Sequence, residues 1–381
     1  MTGLIDRILT THVGSLPRPL DVTTNIFRIE AGEPVDLVDH EVVVRRAVDD
    51  VVKRQVDSGV DLVSDGEMDK ISYATYIKYR VSGFHGDSPR TPPADLEDFP
   101  GFLERQARLG GTPSYKRPQC VGEVRHINDG PVRRECAIFQ VAVRAHKPVA
   151  AFLNSASPGV IAMFQPNAFY PSHLTYLEAV AEAMRVEYEA IVAAGFILQI
   201  DSPDLGLGRH MMFKRLPEEE YLQRVNENVD ALNHALRNIP ADRVRMHVCW
   251  GNYEGPHTHD APLATVLKVA LRAKPQGLLF EAANPRHAHE WEDLAELPIP
   301  EDKVLIPGVV DTTTNFVEHP RLIAQRIVNV ARVVGRERVI AGTDCGFSTF
   351  AGYPGIDTDI VYAKFRAMRE GAELATRKLW G

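Results

Sequence analysis

Cysteine is scarce: four in 381 residues are too few to staple a chain of this length, so cohesion has to come from a packed core. Positive charge is not in excess either. Lys and Arg number 43 against 51 Asp and Glu, a net −8, and no dense basic stripe breaks that balance, which leaves no electrostatic footprint for nucleic acid. No apolar run approaches the length of a membrane span, and the opening MTGLIDRILTTHVG lacks the basic-then-apolar order of a signal peptide. Internal repeats and low-complexity tracts are missing as well. With 44% hydrophobic and 25% charged residues, the remainder is the balance of a soluble globular protein, and a cytoplasmic enzyme acting on small molecules is the expectation.

What recurs instead is a short β-rich run, a turn and an amphipathic helical stretch. The runs fall at 8–15, 60–67, 148–157, 196–204, 244–252, 277–284, 304–311 and 339–346. Between them, residues 38–58, 174–194, 217–238, 262–273 and 319–334 carry apolar positions at i, i+3, i+4 and i+7, and 357–380 reads as a closing helix. Pro217 marks a helix start, and Gly195 and Gly335 stand where helices should end. Eight alternating units predict an α/β chain folded as one (β/α)8 barrel over 1–381, with a doubly wound sheet as the competing arrangement. Residues 82–118 break the rhythm, being rich in Gly and Pro with a brief helical stretch at 101–109; they read as an insertion that covers the barrel mouth or mediates contacts in a homo-oligomer. A short extra strand is expected at 121–127.

Polar or ionisable groups close every run: Gly14 and Ser15, Glu67, Asn154 and Ser155, Asp201, His247 and Cys249, Glu281, Asp311, and Cys345. In a barrel these ends share one mouth. His247 and Cys249 stand two apart on a strand and so point to the same side. With Cys345 and Glu281 they form a tetrahedral set of two thiolates, an imidazole and a carboxylate that suits Zn2+. Taken singly, each has a bland alternative. A buried cysteine is usually a small apolar residue, as Cys120 and Cys136 are read here, and a lone carboxylate usually caps a helix or pairs with a base. A zinc held by two thiolates stays electron-rich, which favours activating a substrate thiol over activating water. Glu67 and Asp201 suit an ammonium group, hence an amino-acid thiol, and would repel a sulfonate.

The motifs TTHVGSLPRP, VSDGEM, LQIDSPD, H-V-C, PGVVD and DCG occur in the order and spacing that resemble the cobalamin-independent methionine synthase family, in its short single-barrel branch. The resemblance covers essentially the whole chain. It implies zinc ligation by His247, Cys249, Glu281 and Cys345, homocysteine contacts from Ser15, Glu67 and Asp201, and methyl transfer to homocysteine from a donor of the 5-methyltetrahydrofolate type or another methyl donor. Two positions depart from the family pattern. Thr313 stands where a histidine is expected two residues beyond Asp311, and 163–173 (MFQPNAFYPSH) has no tryptophan for donor stacking. Asp311, with His12 as an additional candidate, is then left to assist proton movement. The departures keep open a thiol addition to an epoxide, since the same branch resembles epoxyalkane:coenzyme M transferase. A methylated corrinoid on a partner protein and a non-catalytic zinc- or thiol-binding barrel also remain open. His210 is weakly placed, and HTHD (257–260) reads as a solvated loop.

Overall fold

Each of the eight β-rich runs contains a strand in the computed structural model, which describes residues 6–89, 92–108, 116–353 and 355–381. In chain order the strands are β1 (Leu9–Thr10), β2 (Leu62–Val63), β3 (Phe84–His85), β4 (Gln119–Cys120), β5 (Ala150–Ala156), β6 (Ile197–Asp201), β7 (Val244–Val248), β8 (Gly277–Phe280), β9 (Val304–Val310) and β10 (Ile340–Thr343). Eight of them form one parallel sheet in the order β1-β10-β9-β8-β7-β6-β5-β2. The two ends of that sheet meet. Asp61 N–H donates to the Thr10 carbonyl at 3.1 Å, the Asp61 carboxylate accepts Thr10 N–H at 2.9 Å, and Thr11 Oγ1 reaches the Leu62 carbonyl at 3.1 Å. The result is a near-closed (β/α)8 barrel with its helices outside.

The helices form where capping and burial agree. Leu37–Asp57 starts at Asp36, whose carboxylate accepts Val38 and Asp39 N–H, and it buries Val44, Val48, Val51 and Val52 along one face. Pro320–Val334 stops at Gly335, which takes φ 91°, and packs against the closing helix Thr358–Trp380, where Gly371 leaves room for Ile323. Leu20–Ala31, Gly130–His146 and Pro158–Phe164 are helices the apolar pattern did not indicate. In the second, Gly130-Pro131 reads as a turn, but proline at the first helical turn is a start signal.

The segment 82–118 holds β3 and two short helices (Ala94–Glu97 and Pro100–Arg108) and is followed directly by β4; its residues 90, 91 and 109–115 lie outside the described residues. The strand expected at 121–127 falls upstream: β4 pairs antiparallel with β3, and only an isolated bridge joins Val81 to His126. Among the described residues no helix is long and apolar enough to cross a membrane.

Candidate metal centre and its cavity

Strands β7, β8 and β10 bring the four expected ligands to one end of the barrel. Donor atoms of His247, Cys249 and Cys345 all lie within 4.8 Å of one another, and all three side chains are buried. Cys345 Sγ is 3.8 Å from His247 Nε2 and 3.9 Å from Glu281 Oε1. Bonds of about 2.0–2.3 Å around a tetrahedral ion put neighbouring donors about 3.5 Å apart, so these spacings fit Zn2+ after small adjustments. Glu281 stands at the edge of the close group of three. Its Oε1 accepts Trp250 N–H at 2.8 Å and its Oε2 the Asn284 amide at 2.6 Å.

The electrostatics agree with a site for a dication. Burial, then the neighbouring Cys249, pushes both the Glu281 carboxyl and the Cys345 thiol well above their ordinary ranges. Burial pushes His247 down to about 4, which leaves the imidazole neutral as a ligand must be. Sequence reasoning missed the residue that fixes this end of the barrel. Asp344 accepts the N–H groups of Ala282, Ala283 and Asn284 at 2.8 Å each, pinning the end of β8, and its carbonyl accepts from His247 Nε2 at 3.0 Å. Gly308 has no Cβ to obstruct it. The DCG motif carried this signal.

Ser15, Glu67 and Asp201 line the same cavity of about 960 Å³ as His247, Cys249 and Cys345. Glu67 sits at φ 56°, a left-handed conformation held by Asp65 Oδ1, which accepts its N–H at 2.9 Å, and by Arg18 Nε on its carbonyl at 3.0 Å. Its Oε2 is buried without a hydrogen bond, 4.0 Å from Arg18 Nη2. Burial, and further down the scale the charge of Asp201, raises the Glu67 carboxyl above its ordinary range. Asp201 is raised by burial too, although amides of Asn154 and Gln199, each 3.0 Å away, oppose the shift.

Beneath Asp201 lies Arg245, which the sequence reading passed over. It is fully buried and bonds to Gln199 Oε1 at 2.7 Å, Thr11 Oγ1 at 2.8 Å and the His12 carbonyl at 2.7 Å, with its guanidinium 3.4 Å from the Phe152 ring centre. Arg245 and His247 alternate along β7 with Cys249 directly beyond its end, and that spacing was the available signal.

Three expectations need correction or restriction. His12 does not line the cavity: its ring lies beside Phe152 and Phe365, with Nε2 2.7 Å from Gln55 Oε1, and burial pushes its pKa down to about 3. A ring so placed carries no second proton near neutrality, so it is unsuited to the donor role expected of it. Asp311 is near the site but engaged, accepting Thr313 N–H at 3.0 Å and the Thr313 and Thr314 hydroxyls at 2.8 and 2.6 Å, while Thr313 itself reaches the cavity. HTHD is not a solvated loop throughout. The side chains of His257 and Asp260 are buried and bonded at 2.9 Å, while Thr258 and His259 face outward, His259 towards Asp98. Part of the remaining cavity wall comes from the 82–118 segment, including Pro93, Leu96, Phe102, Arg105 and Arg117.

A family model described as "Cobalamin-independent synthase, Catalytic domain" matches residues 146–373, which hold β5 to β10 and all four ligand candidates. A protein named methionine synthase from Saccharolobus islandicus is 26% identical over 371 residues, covering 97% of this chain and 95% of that protein. One from Thermococcus kodakarensis is 25% identical over 373 residues, covering 97% and 94%. A solved structure, a B12-independent methionine synthase from Shewanella sp. W3-18-1 in complex with selenomethionine, superposes with a TM-score of 0.74 at 17% identity, covering 98% of this chain and 99% of that one; it shows the shared fold.

Proposed function

The chain belongs to the cobalamin-independent synthase catalytic-domain family, and on that premise we propose that it is a zinc-dependent methyltransferase that methylates the thiol of homocysteine to give methionine. The observation that carries the reading is the shared cavity, in which a thiol-rich donor group, His247, Cys249 and Cys345, faces two buried carboxylates, Glu67 and Asp201. The names of the full-length relatives support it.

Zn2+ held by His247, Cys249, Cys345 and Glu281 would supply, when bound, the shift that makes a substrate thiol a thiolate near neutral pH. The rest is the work of the protein. Glu67 Oε2, buried without a hydrogen bond, and Asp201 offer acceptors to the substrate ammonium, and a cation there relieves the unfavourable burial of both. Gln199, itself held by Arg245, bonds Asp201 from below. Ser15 packs its hydroxyl against Gly346, directly after the ligand Cys345, and sets the floor of the thiol pocket. The donor enters beside the 92–107 wall, whose apolar side chains exclude water from the transfer. The thiol proton leaves to solvent as the thiol ionises, a sulfur–methyl bond forms as the donor–methyl bond breaks, and the demethylated donor takes one proton back from solvent. Asp311 fixes the Thr313 hydroxyl at the cavity wall and assists proton movement only through it.

The test substitutes cobalt(II) for zinc and titrates homocysteine and, separately, coenzyme M. A sulfur-to-cobalt charge-transfer change with homocysteine alone is the expected result. A response to coenzyme M alone moves the reaction to epoxide opening, and no response to either thiol overturns the thiol-activation reading.

A further inference from the structure

Residues 92–107 supply cavity wall but belong to no barrel strand, and no residue of their longer helix, Pro100–Arg108, is buried. Their most deeply buried polar anchor is one side chain, alongside the buried Leu96 and the outer contacts of Glu97 with Lys214, Asp98 with His259 and Gln106 with the Glu254 carbonyl. Asp95, in the short helix Ala94–Glu97, has no exposed surface. Its carboxylate accepts the Tyr253 hydroxyl at 2.9 and 2.7 Å and the His257 backbone N–H at 2.9 Å. His210 Nδ1, which has no hydrogen bond, lies 3.6 Å from Asp95 Oδ1, and the His210 carbonyl accepts Ala94 N–H at 2.9 Å.

The receptor for Asp95 is built in the loop that follows β7. Tyr253 fits because Gly251 and Gly255 have no Cβ: one on Gly251 would lie 2.6 Å from the ring, and one on Gly255 would overlap it. The ring stacks on His257 at 4.6 Å and 21°. His257 is held at φ 53°, a conformation that disfavours side chains, by Asp95 on its N–H and by Asp260, 2.9 Å from Nδ1. The same loop starts at Trp250, whose N–H donates to Glu281 and whose carbonyl accepts from His210 Nε2 at 2.9 Å. One loop therefore touches both the inserted wall and the metal centre.

We propose that Asp95 is a positioning residue and the latch of a lid: seated among Tyr253, His257 and His210, it holds residues 92–107 against the cavity shared by His247, Cys249 and Cys345, and its withdrawal opens that cavity for exchange of substrate and product. This rests on the reading above that the cavity is where thiol and donor meet. The strained His257 and the nearly unburied helix Pro100–Arg108 are what such a lid requires, a segment that opens at low cost while the barrel stays folded.

Hydrogen exchange on the zinc-loaded protein tests it. Asp95→Ala should raise exchange in peptides covering 94–107 by about tenfold or more, leave β7 and β8 at wild-type protection, and keep the zinc content. Tyr253→Phe, which leaves the His257 N–H in place, should give a smaller rise in the same peptides and is the fallback if Asp95→Ala does not fold. With methyl donor, KM should rise more than kcat falls. Unchanged exchange at 94–107 in the folded variants overturns the proposal, as does a rise spread evenly over the whole barrel. Exchange is read without turnover, so its outcome is separate from whether homocysteine is the substrate.

Discussion

Replacing Glu67 by glutamine separates the substrate assignment from the metal assignment. Glu67→Gln keeps the shape of a side chain that is 2% exposed and removes only its charge. In the homocysteine complex the lost interaction is a charge-assisted hydrogen bond between buried groups, worth about 2–3 kcal/mol, or about 30- to 150-fold in affinity. Without substrate the sign reverses. The carboxyl is raised by burial and by Asp201, so ionising it in the folded protein costs stability as pH rises above the free-carboxylate range, a cost the amide does not carry. Glu67→Gln should therefore bind homocysteine far more weakly while melting at the same temperature as the wild type or higher at pH 7.5. The assay pairs thermal melts with titration of the cobalt-substituted protein, using homocysteine and 2-mercaptoethanesulfonate side by side. A sulfonate has no ammonium for Glu67, so its affinity should hold or improve. Equal losses for both thiols would refute the pairing of Glu67 with an ammonium, and a homocysteine affinity within threefold of wild type (about 0.7 kcal/mol) would remove Glu67 from the site.

Cys249→Ser should bind zinc more than about 100-fold less tightly, since loss of an outer-shell partner alone costs 10- to 100-fold, with the far-ultraviolet circular dichroism unchanged. Stoichiometric zinc in the purified variant, measured by mass spectrometry, would contradict the ligand set. The His257–Asp260–His287 cluster sets a pH dependence. Burial alone would lower both imidazoles, but hydrogen bonds to Asp260, and to Glu290 for His287, outweigh it and raise them to about 9 and about 10. Their contribution is complete below the unfolded value of about 6.5 and is lost as pH rises through 9 to 10, on the order of several kcal/mol for the pair. Urea midpoints should fall over that window and His287→Gln should flatten the fall; a midpoint flat to pH 10 in the wild type would show that the rings are not held charged.

The barrel was legible because parallel strands buried on both faces read as apolar runs, and because each run stops at a polar residue that faces the mouth. The helix Gly130–His146 was not, since its Gly-Pro start imitates a turn, and β4 was displaced because its register is set by Phe84 and His85, distant in sequence. The candidate metal donors could be singled out because thiols at strand ends are rare and the i, i+2 rule places His247 with Cys249. The same rule, applied to the first run, would have excluded His12. Val13 and Ser15 line the cavity, and odd parity there sends residue 12 the other way, towards Gln55 of the helix Leu37–Asp57 and Phe365 of the closing helix. Parity also favoured Arg245, yet an arginine in a strand reads as solvent-facing until Thr11, Gln199 and the His12 carbonyl are seen to absorb its donors. His257 was misjudged for the same reason, because Asp95, 162 residues away, covers it. Side chains whose chemistry depends on their own strand are readable from one segment. Those whose burial is arranged by partners on other segments become readable only once the barrel has brought the partners together.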